Sequence, residues 1–447
     1  MIAVYYSLVT NYLERVLGTV IFMTVFILAI TILCLAIPFY VYIGYPLLLV
    51  ALSKVKRCVE IDKRDIEPKV SLLVSCYNEE KVIRKKIENC LSLDYPNEKL
   101  EIIFISDGSE DGTDEIINAY QDQGIHLIRQ EGRLGKTSGL NLAIPEANGE
   151  VIVFSDANAM YQSDAINKLV RSFHDTTVGY VVGAALYSDG EDNSAANSEN
   201  SYWQYEIFIK TLESKLHSVV GGDGAIYAIR RSLYDPLDAK DINDFVNPLQ
   251  IIAKGYRGVF EPEAICYEET AGDFSKEAKR KERIVNRSFR GLMKVKSVMN
   301  PFKVGFFSLE VISHKLLRWL IPFFLVGMTL GIIILSFQGL LVFQIMQVFG
   351  VLFVWLAMVG YLKASSNSMS RVFQFPYYFM MANISSFIGV VQAVKGNIQV
   401  TWGSPRAEQT EETADRLSVQ FIFASIALIS LYLFYNAASD IFQACMS

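Results

Sequence analysis

Residues 70–76 read Val-Ser-Leu-Leu-Val-Ser-Cys, a short run of apolar and β-branched residues that ends in the polar turn Tyr77-Asn78-Glu79. A run of this kind, bounded by a turn, predicts a buried strand. Helical spacing follows over Glu79–Leu91, and a second buried-strand pattern occupies Leu100–Ile105. Strands that alternate with helices in this way predict an α/β domain with a mostly parallel sheet.

The alternation continues, and polar residues follow three of the strands. Further predicted elements are a helix over Asp111–Tyr120, a strand over His126–Arg129, a helix over Leu140–Glu146 and a strand over Val151–Phe154. The polar clusters are Tyr77-Asn78-Glu79, Ser106-Asp107-Gly108-Ser109 and Asp156-Ala157-Asn158. Each cluster alone is also typical of a turn or a helix cap. Because ligands bind beyond the carboxyl ends of strands in such sheets, the three together predict a binding site.

The composition excludes several classes of protein. The chain has 447 residues, 51% hydrophobic and 20% charged, which indicates membrane segments mixed with globular sequence. Its net charge of −6 gives no reason to expect a nucleic-acid partner. The six cysteines and four histidines are scattered, which is typical of reduced thiols and argues against a histidine-ligated zinc or a histidine-based triad.

The longest apolar stretch lies near the N-terminus. Val16–Leu52 carries no charged side chain, and a helix needs about 20 such residues to cross a bilayer. The stretch is compatible with one span plus an interfacial segment, or with two tight spans broken at Pro38 and at Gly44-Tyr45-Pro46. A basic run over residues 54–57 follows, so the positive-inside rule places the next region in the cytoplasm.

Four further apolar segments lie in the C-terminal part of the chain. They are Trp319–Phe337, Leu340–Leu362, Phe373–Val394 and Leu417–Tyr435. Only Gln338 and Gly339 separate the first two, which predicts a helical hairpin. Phe373–Val394 carries several polar residues, so it either spans the membrane or lies on its surface as an amphipathic helix. We favour the surface location.

These segments predict an integral protein of the plasma (inner) membrane, in contact with membrane lipids and with a cytoplasmic α/β domain. The expected parts are N-terminal membrane segments and a linker (1–65), the α/β domain (66–274), basic interfacial helices (275–315), a transmembrane hairpin (316–363), an interfacial helix with a loop (364–415) and a C-terminal transmembrane helix (416–447).

The ordered motifs of the α/β domain resemble those of the family 2 glycosyltransferases. They are most similar to the membrane synthases of hyaluronan, cellulose and poly-N-acetylglucosamine. The resemblance covers residues 68–290 and continues to Trp402. It implies a GT-A (Rossmann-like) fold and transfer of a sugar from a nucleotide-sugar donor.

The resemblance assigns nucleotide binding to five residues of this domain, namely Tyr77, Glu79, Asp107, Lys136 and Asn141. The family's acidic pair is reduced here to Asp107, because residue 106 is serine. Lys136 would meet the diphosphate as a point charge. The pattern of Tyr77, Glu79 and Asp107 resembles that of uridine-diphosphate enzymes, so a UDP-sugar is the implied donor.

The family's metal motif matches Asp156 and Asn158, with an amide in place of the second acid. Both can supply hard oxygen ligands, so the implied cofactor is Mg²⁺ or Mn²⁺. The catalytic base of the family matches Asp244, which precedes an apolar helix and Gly255-Tyr256-Arg257. Asp238 and Asp241 are rivals by proximity.

The remaining motifs concern the acceptor and the leaving group. Gly222, Asp223 and Gly224 match the segment that lines the acceptor end of the family's site, although a plain turn is the alternative. Arg283 retains the arginine of the family's QxxRW motif, whose glutamine and tryptophan are missing. The basic run around Arg283 is also typical of a helix held against anionic lipid.

Trp402 and Arg406 resemble the gating loop of the hyaluronan synthases, which closes over the nucleotide from the cytoplasmic side. An interfacial aromatic anchor is the other interpretation of Trp402.

The resemblance implies one inverting displacement at the anomeric carbon, with Asp244 as base. Two interpretations of the acceptor stay open. The first, which we favour slightly, is a processive synthase that extends a polysaccharide and passes it through the membrane. The second is addition of one sugar to a lipid-linked acceptor, which the missing QxxRW residues favour. A non-catalytic membrane scaffold or nucleotide-sugar sensor is a remote third.

Overall fold

The computed structural model describes residues 2–55, 60–188, 194–269, 274–364, 369–397 and 428–442. The strands are β1 Val70–Cys76, β2 Leu100–Ser106, β3 Ile125–Arg129, β4 Val151–Asp156, β5 Met160–Tyr161, β6 Val178–Ser188, β7 Tyr227–Arg230 and β8 Arg257–Glu269. The helices are α1 Ile2–Phe39, α2 Tyr45–Val55, α3 Glu80–Leu91, α4 Thr113–Asn118, α5 Lys136–Glu146, α6 Ala165–Val170, α7 Ser194–Leu216, α8 Asn243–Ala253, α9 Phe274–Lys294, α10 Pro301–Val304, α11 Phe307–Val311, α12 Leu317–Phe337, α13 Leu341–Leu362, α14 Arg371–Lys395 and α15 Leu428–Phe442.

The strands form one sheet in the order β3-β2-β1-β4-β7-β6-β8-β5. The pairs β2–β3, β1–β2, β1–β4 and β6–β8 are parallel, whereas β4–β7, β6–β7 and β5–β8 are antiparallel. The prediction of a mostly parallel sheet is therefore correct for the half built from β1 to β4. The other half is mixed, because β6 and β8 are parallel, whereas β7 runs against both of its neighbours and β5 runs against β8.

Strand β1 is the centre of the parallel half. All seven of its residues are buried, as expected for a strand covered by helices on both faces. Leu72 and Val74 belong to the hydrophobic cluster on one face, and Leu73 belongs to the cluster on the other. The parallel register pairs Cys76 with Ser106 and Ser75 with Asp156. The three predicted polar clusters therefore leave the sheet at the same edge.

The N-terminal apolar stretch forms a continuous helix rather than two spans. A π-helical turn over Tyr40–Gly44 joins α1 to α2 without a break. The helix over Arg15–Val55 has 41 residues and is about 60 Å long, twice the roughly 30 Å of a bilayer core. Its C-terminal part packs Tyr45 and Leu49 against α7 of the α/β domain. The alternative of two tight spans is wrong because the backbone stays helical through Pro38 and Gly44.

Among the described residues, four helices are long and apolar enough to cross a membrane, namely those over Arg15–Val55, Phe307–Phe337, Leu341–Leu362 and Arg371–Lys395. Helices α12 and α13 are packed neighbours joined by residues 338–340, as expected for the predicted hairpin. Helix α15 overlaps the end of the predicted segment Leu417–Tyr435, whose first part lies outside the described residues. It packs against α13, where the Trp355 indole donates to Ser430 Oγ at 2.7 Å.

A buried polar network joins α7 to the membrane-side helices. His314, fully buried, places Nδ1 2.8 Å from Glu213 and Nε2 3.0 Å from Glu206. The Tyr45 hydroxyl donates to the same Glu213 oxygen at 2.7 Å, and Arg318 forms an ion pair with Glu206. Removing one member would leave a buried polar group without a partner, so this network ties the α/β domain to α2 and α12.

Helix α14 packs between the charged helix α9 and the apolar helices. Along α9, the Phe274 and Tyr377 rings lie 5.0 Å apart, and the Asn286 amide donates to the carbonyl of Asn397 at 2.9 Å. On its other side, the Phe387 ring lies 4.8 Å from that of Phe323 in α12. Helix α14 therefore runs along α9 for most of its length.

Candidate active site

Three charged side chains meet at Gly224. A methyl group placed on its α-carbon would lie 3.3 Å from Asp244 Oδ2, 3.4 Å from Asp156 Oδ2 and 3.6 Å from Lys136 Nζ. These residues come from the end of β4, the start of α5, the start of α8 and the loop before β7. Only a residue without a side chain leaves the space between the three charges open.

Lys136 is the first residue of α5, directly after Gly135, whose φ of 93° suits glycine. Its ammonium forms an ion pair with Asp156 Oδ1 and lies 3.4 Å from the carbonyl of Gly224. The side chain of Asp156 is 39% exposed and that of Lys136 is 14% exposed. This pair is therefore open to a ligand from the side of Asp156.

Asp244 lies in the first turn of α8, and its carboxyl group faces the Gly224 space. Its Oδ1 atom is buried and has no hydrogen-bond partner among the described residues. Burial raises the pKa of Asp244, Lys136 lowers it, and Asp223 and Asp156 raise it. A carboxylate with one unsatisfied oxygen and a raised pKa is suited to accept a proton.

The two rival acids are held by other partners. Asp241 is fully buried and forms ion pairs with Arg290 at 2.7 Å and with Lys294 at 2.5 Å. Asp238 accepts from the backbone N–H of Lys240 at 3.0 Å and also lies 3.4 Å from Arg290. Both acids therefore anchor the loop before α8 to α9, and neither lies at Gly224.

The glycine-rich loop before β7 shapes the side of the site nearest α7. Gly221 has a φ of 83°, and the N–H of Gly222 donates to the carbonyl of Asp244 at 2.5 Å. Asp223 lies 3.5 Å from Lys210 of α7. The loop thus carries Gly224 while its neighbours contact both α7 and α8.

At the neighbouring strand end, Asp107 is almost fully buried and tightly held. Its Oδ1 accepts from Gln130 Nε2 and from the backbone N–H groups of Leu134 and Gly135, each at 2.8 Å. Its Oδ2 has no hydrogen-bond partner among the described residues. Burial raises the pKa of Asp107, and the Gly135 and Leu134 N–H groups oppose that rise. Oδ2 is therefore a buried oxygen with unused hydrogen-bonding capacity at this strand end.

The turn after β1 lies beside Asp107. Asn78 adopts a left-handed φ of 51° and accepts from the Glu110 N–H at 2.9 Å. The N–H of Glu79 donates to Thr113 at 2.8 Å, and its side chain is largely buried. The Arg133 guanidinium lies 4.0 Å from the centre of the Tyr77 ring. These two flat groups stack on each other, and sequence reasoning identified only Tyr77.

Not every predicted residue reaches the cluster. The Asn141 amide donates to the carbonyl of Leu237 at 2.7 Å and accepts from the Tyr234 hydroxyl at 2.6 Å, so both of its polar atoms hold the loop before α8. The structure therefore does not bring Asn141 to Asp156 or Asp107. Trp402 and Arg406 lie outside the described residues.

Helix α9 carries two arginines whose pKa values are lowered. Burial and the neighbouring Arg280 lower the pKa of Arg283, and the charges of Asp156 and Asp244 oppose that change. Arg287, one turn later, donates to the carbonyls of the loop over residues 239–241 and to Thr137. Burial lowers its pKa to about 10. Arg287 lies four residues after Arg283, on the same face of a helix, and this spacing could have identified it from the sequence.

Glu268 is an acid that the sequence analysis missed. It lies near the end of β8, and burial, Asp156 and Asp223 raise its pKa to about 8. Its position at a strand end was the same signal that identified Asp156.

The two residues of the predicted metal motif lie at and just after the end of β4. Among the described residues, no three His, Cys, Asp or Glu side chains gather into a metal-binding group. Asp156 and Asn158 offer a carboxylate and an amide oxygen at a partly open turn. Mg²⁺ and Mn²⁺ take oxygen ligands and, at nucleotide sites, complete their shell with phosphate and water. The donor set therefore fits a cation that binds together with a diphosphate.

The sequence matches the family model described as glycosyl transferase family 2 over residues 71–237. It is 30% identical over 215 residues to "Probable glycosyltransferase YdaM" of Bacillus subtilis (strain 168), covering 45% of this chain and 51% of that protein. It is 28% identical over 241 residues to the poly-beta-1,6-N-acetyl-D-glucosamine synthase of Staphylococcus aureus (strain COL), covering 51% of this chain and 58% of that protein. The chain thus spans little more than half the length of these curated relatives.

Among solved structures, the chain is similar to the mannosyltransferase PcManGT from Pyrobaculum calidifontis in complex with GDP-Man and Mn²⁺. The TM-score is 0.59 at 21% identity, over 82% of this chain and 99% of that one. This likeness confirms the GT-A fold expected from the sequence. Residues 71–237 of this chain therefore form a family 2 glycosyltransferase domain.

Proposed function

We propose that this protein is an inverting, metal-dependent glycosyltransferase that moves a sugar from a UDP-sugar onto a growing polysaccharide at the membrane and couples extension to translocation. The observation that carries the proposal is the meeting of Asp244, Asp156 and Lys136 around Gly224. A proton acceptor, a phosphate-binding lysine and a cation ligand are the groups that transfer from a nucleotide-sugar requires.

The donor would lie across the strand ends. The nucleobase would stack at Tyr77 and Arg133 and donate an N–H to Asp107 Oδ2. The diphosphate would extend toward Lys136 and Arg283, and Asp156 and Asn158 would hold a divalent cation. Bound there, the cation supplies positive charge to the diphosphate. The GDP-Man and Mn²⁺ in the mannosyltransferase structure support a donor and a cation of these classes.

The reaction would be one in-line displacement. Asp244 takes the proton of an acceptor hydroxyl while that oxygen forms a bond to the anomeric carbon. The bond between the anomeric carbon and the diphosphate oxygen breaks, and the electron pair leaves with the nucleoside diphosphate. Lys136 and Arg283 stabilise the departing negative charge. A single displacement inverts the anomeric configuration.

The membrane helices support a site at the cytoplasmic surface. Helix α14 lies along α9, which carries many charged residues and is excluded from a hydrocarbon core. We therefore place α14 at the membrane surface, with α1, α12 and α13 crossing the bilayer. The basic residues after α2 then put the catalytic domain in the cytoplasm.

A polymeric product is supported by the name of the Staphylococcus aureus relative, a poly-beta-1,6-N-acetyl-D-glucosamine synthase. One observation favours single addition to a lipid-linked acceptor instead. Position 284, after Arg283, is isoleucine, so this helix lacks the aromatic ring on which an acceptor sugar could stack.

The test is nucleoside-diphosphate release by the full chain in lipid nanodiscs. A panel of UDP-sugars and GDP-mannose is supplied with Mg²⁺ or Mn²⁺, and the product is sized on a gel. We expect release with one UDP-sugar and a high-mass product. Release only after addition of a lipid acceptor, without polymer, would select single addition, and no release with any donor would select the scaffold.

Asp244→Asn tests the role of the base. It should bind UDP as the wild type does and lose transfer, whereas Asp122→Asn, at an exposed turn, should change neither. Loss of UDP binding in Asp244→Asn would contradict a purely catalytic role.

A further inference from the structure

Helix α3 contains a lysine that the proposed reaction does not use. Lys86 is fully buried, and among the described carboxylates none forms an ion pair with it. Its ammonium donates to Ser155 Oγ at 2.9 Å and to the carbonyl of Ala159, and it lies 4.5 Å from the centre of the Tyr161 ring. A buried charge is costly unless it is well hydrogen-bonded, so this lysine needs an explanation.

The two acceptors of Lys86 stand on either side of the metal motif. Ser155 precedes Asp156, and Ala159 follows Asn158. The ammonium therefore holds both ends of the turn that carries the two cation ligands. The charges of Asp156 and Glu268 favour the protonated lysine, and burial lowers its pKa.

One helical turn later, Asn89 continues the same contact. Its amide donates to the carbonyl of Tyr161 at 2.8 Å and accepts from the N–H of Tyr161 at 2.8 Å. The Tyr161 hydroxyl lies 3.0 Å from the carbonyl of Phe154 and 3.1 Å from that of Ala225. Lys86 and Asn89 thus fix the metal turn, and Tyr161 ties that turn to the loop that carries Gly224.

Helix α3 begins directly after the turn that we assign to the nucleobase. Helix α3 therefore connects the turn assigned to the nucleobase with the turn that carries Asp156 and Asn158. Lys85, next to Lys86 on the same helix, is exposed to solvent.

We propose that Lys86 is a positioning residue that holds Asp156 and Asn158 in the orientation needed to bind a divalent cation on the diphosphate. The inference rests on the proposed function, because it assumes that this turn binds the cation of a nucleotide donor. It assigns to α3 a role in the cation site, although α3 supplies no ligand to the cation.

The test measures UDP binding to the full chain in nanodiscs with and without Mn²⁺, by thermophoresis. In the wild type, Mn²⁺ should tighten UDP binding. Lys86→Met keeps the length of the side chain in a buried site and removes the ammonium. We expect it to lose about 10-fold or more of the Mn²⁺ effect, the size typical for groups that orient metal ligands, while UDP binding without Mn²⁺ stays unchanged.

Lys85→Met is the matched control and should behave as the wild type. If Lys86→Met does not fold, Asn89→Ala tests the same contact and should show the same loss. An unchanged Mn²⁺ effect in the folded variant would overturn the inference. A larger Mn²⁺ effect would also overturn it, because the ammonium would then repel the cation rather than position its ligands. Absence of any Mn²⁺ effect in the wild type would instead contradict the proposed cation site itself.

Discussion

Gly224→Ala tests the centre of the site with one methyl group. The methyl would lie 3.3 Å from Asp244 Oδ2, a tight contact, and 3.4 Å from Asp156 Oδ2, at ordinary contact distance. It would also fill the space in which the acceptor hydroxyl must meet Asp244. If the methyl displaces that hydroxyl by about 1 Å, the cost is on the order of 10²-fold in rate, or about 2.7 kcal/mol in the activation barrier.

The fold should tolerate this change. Gly224 does not adopt a left-handed φ, so alanine is allowed by the backbone. We expect the thermal midpoint to move by no more than about 4 °C. The nucleobase end of the UDP site should not be affected, because Asp107 lies at a different strand end.

The assay compares nucleoside-diphosphate release, UDP affinity and thermal midpoint in Gly224→Ala and Gly350→Ala. Gly350 is a matched control, because a methyl group there meets no atom within 4 Å. Full transfer activity in Gly224→Ala would refute the assignment of the reacting space. A loss of activity accompanied by unfolding would refute the reasoning that the methyl group acts only locally.

Three further predictions concern protonation, nucleotide binding and stability. Activity requires ionised Asp244, whose pKa is raised, so activity should fall as the pH drops through that pKa. In pH–rate profiles, Lys136→Met should move this acid limb to higher pH and Asp223→Asn should move it to lower pH. Movement of the limb in the same direction in both variants would contradict the proposal. Asp107→Ala should weaken UDP binding in titrations by about 10-fold or more, because hydrogen bonds to a charged group contribute about 1.5–3 kcal/mol. Unchanged UDP affinity would exclude Asp107 from the nucleobase-binding site. His314→Ala removes a fully buried ring that bonds to Glu213 and Glu206, while Glu206 keeps Arg318 and Glu213 keeps the Tyr45 hydroxyl. The loss of these buried hydrogen bonds should cost about 1–3 kcal/mol and lower the thermal inactivation midpoint, whereas replacing the exposed His126 of β3 should not.

The strands of the parallel half of the sheet could be predicted from the local pattern of apolar and polar residues. Each strand from β1 to β4 is a short apolar run, and each polar cluster follows directly after its strand. Because parallel neighbours end at the same edge, Asp107 and Asp156 could be placed together without a structure. Asp244 could be identified only from the family resemblance, because it does not follow a predicted strand as Asp107 and Asp156 do.

Other features escaped because they depend on contacts between distant parts of the chain. Nothing around Lys86 in the sequence distinguishes it from exposed Lys85, and only the packing of α3 under the metal turn makes it a buried donor. Asn141 matched a motif, yet the fold uses its amide to hold the loop before α8.

The sequence by itself determined the α/β class of the domain, the apolar helices and the polar clusters at the strand ends, because periodicity and turn chemistry act over a few neighbouring residues. The roles of the site residues came from the family resemblance. The tertiary structure alone decided the mixed half of the sheet, the continuity of α1 with α2, the place of α14 along α9 and the space at Gly224. Each of these features depends on packing between segments that are far apart in the chain, and local composition does not predict which segments come into contact.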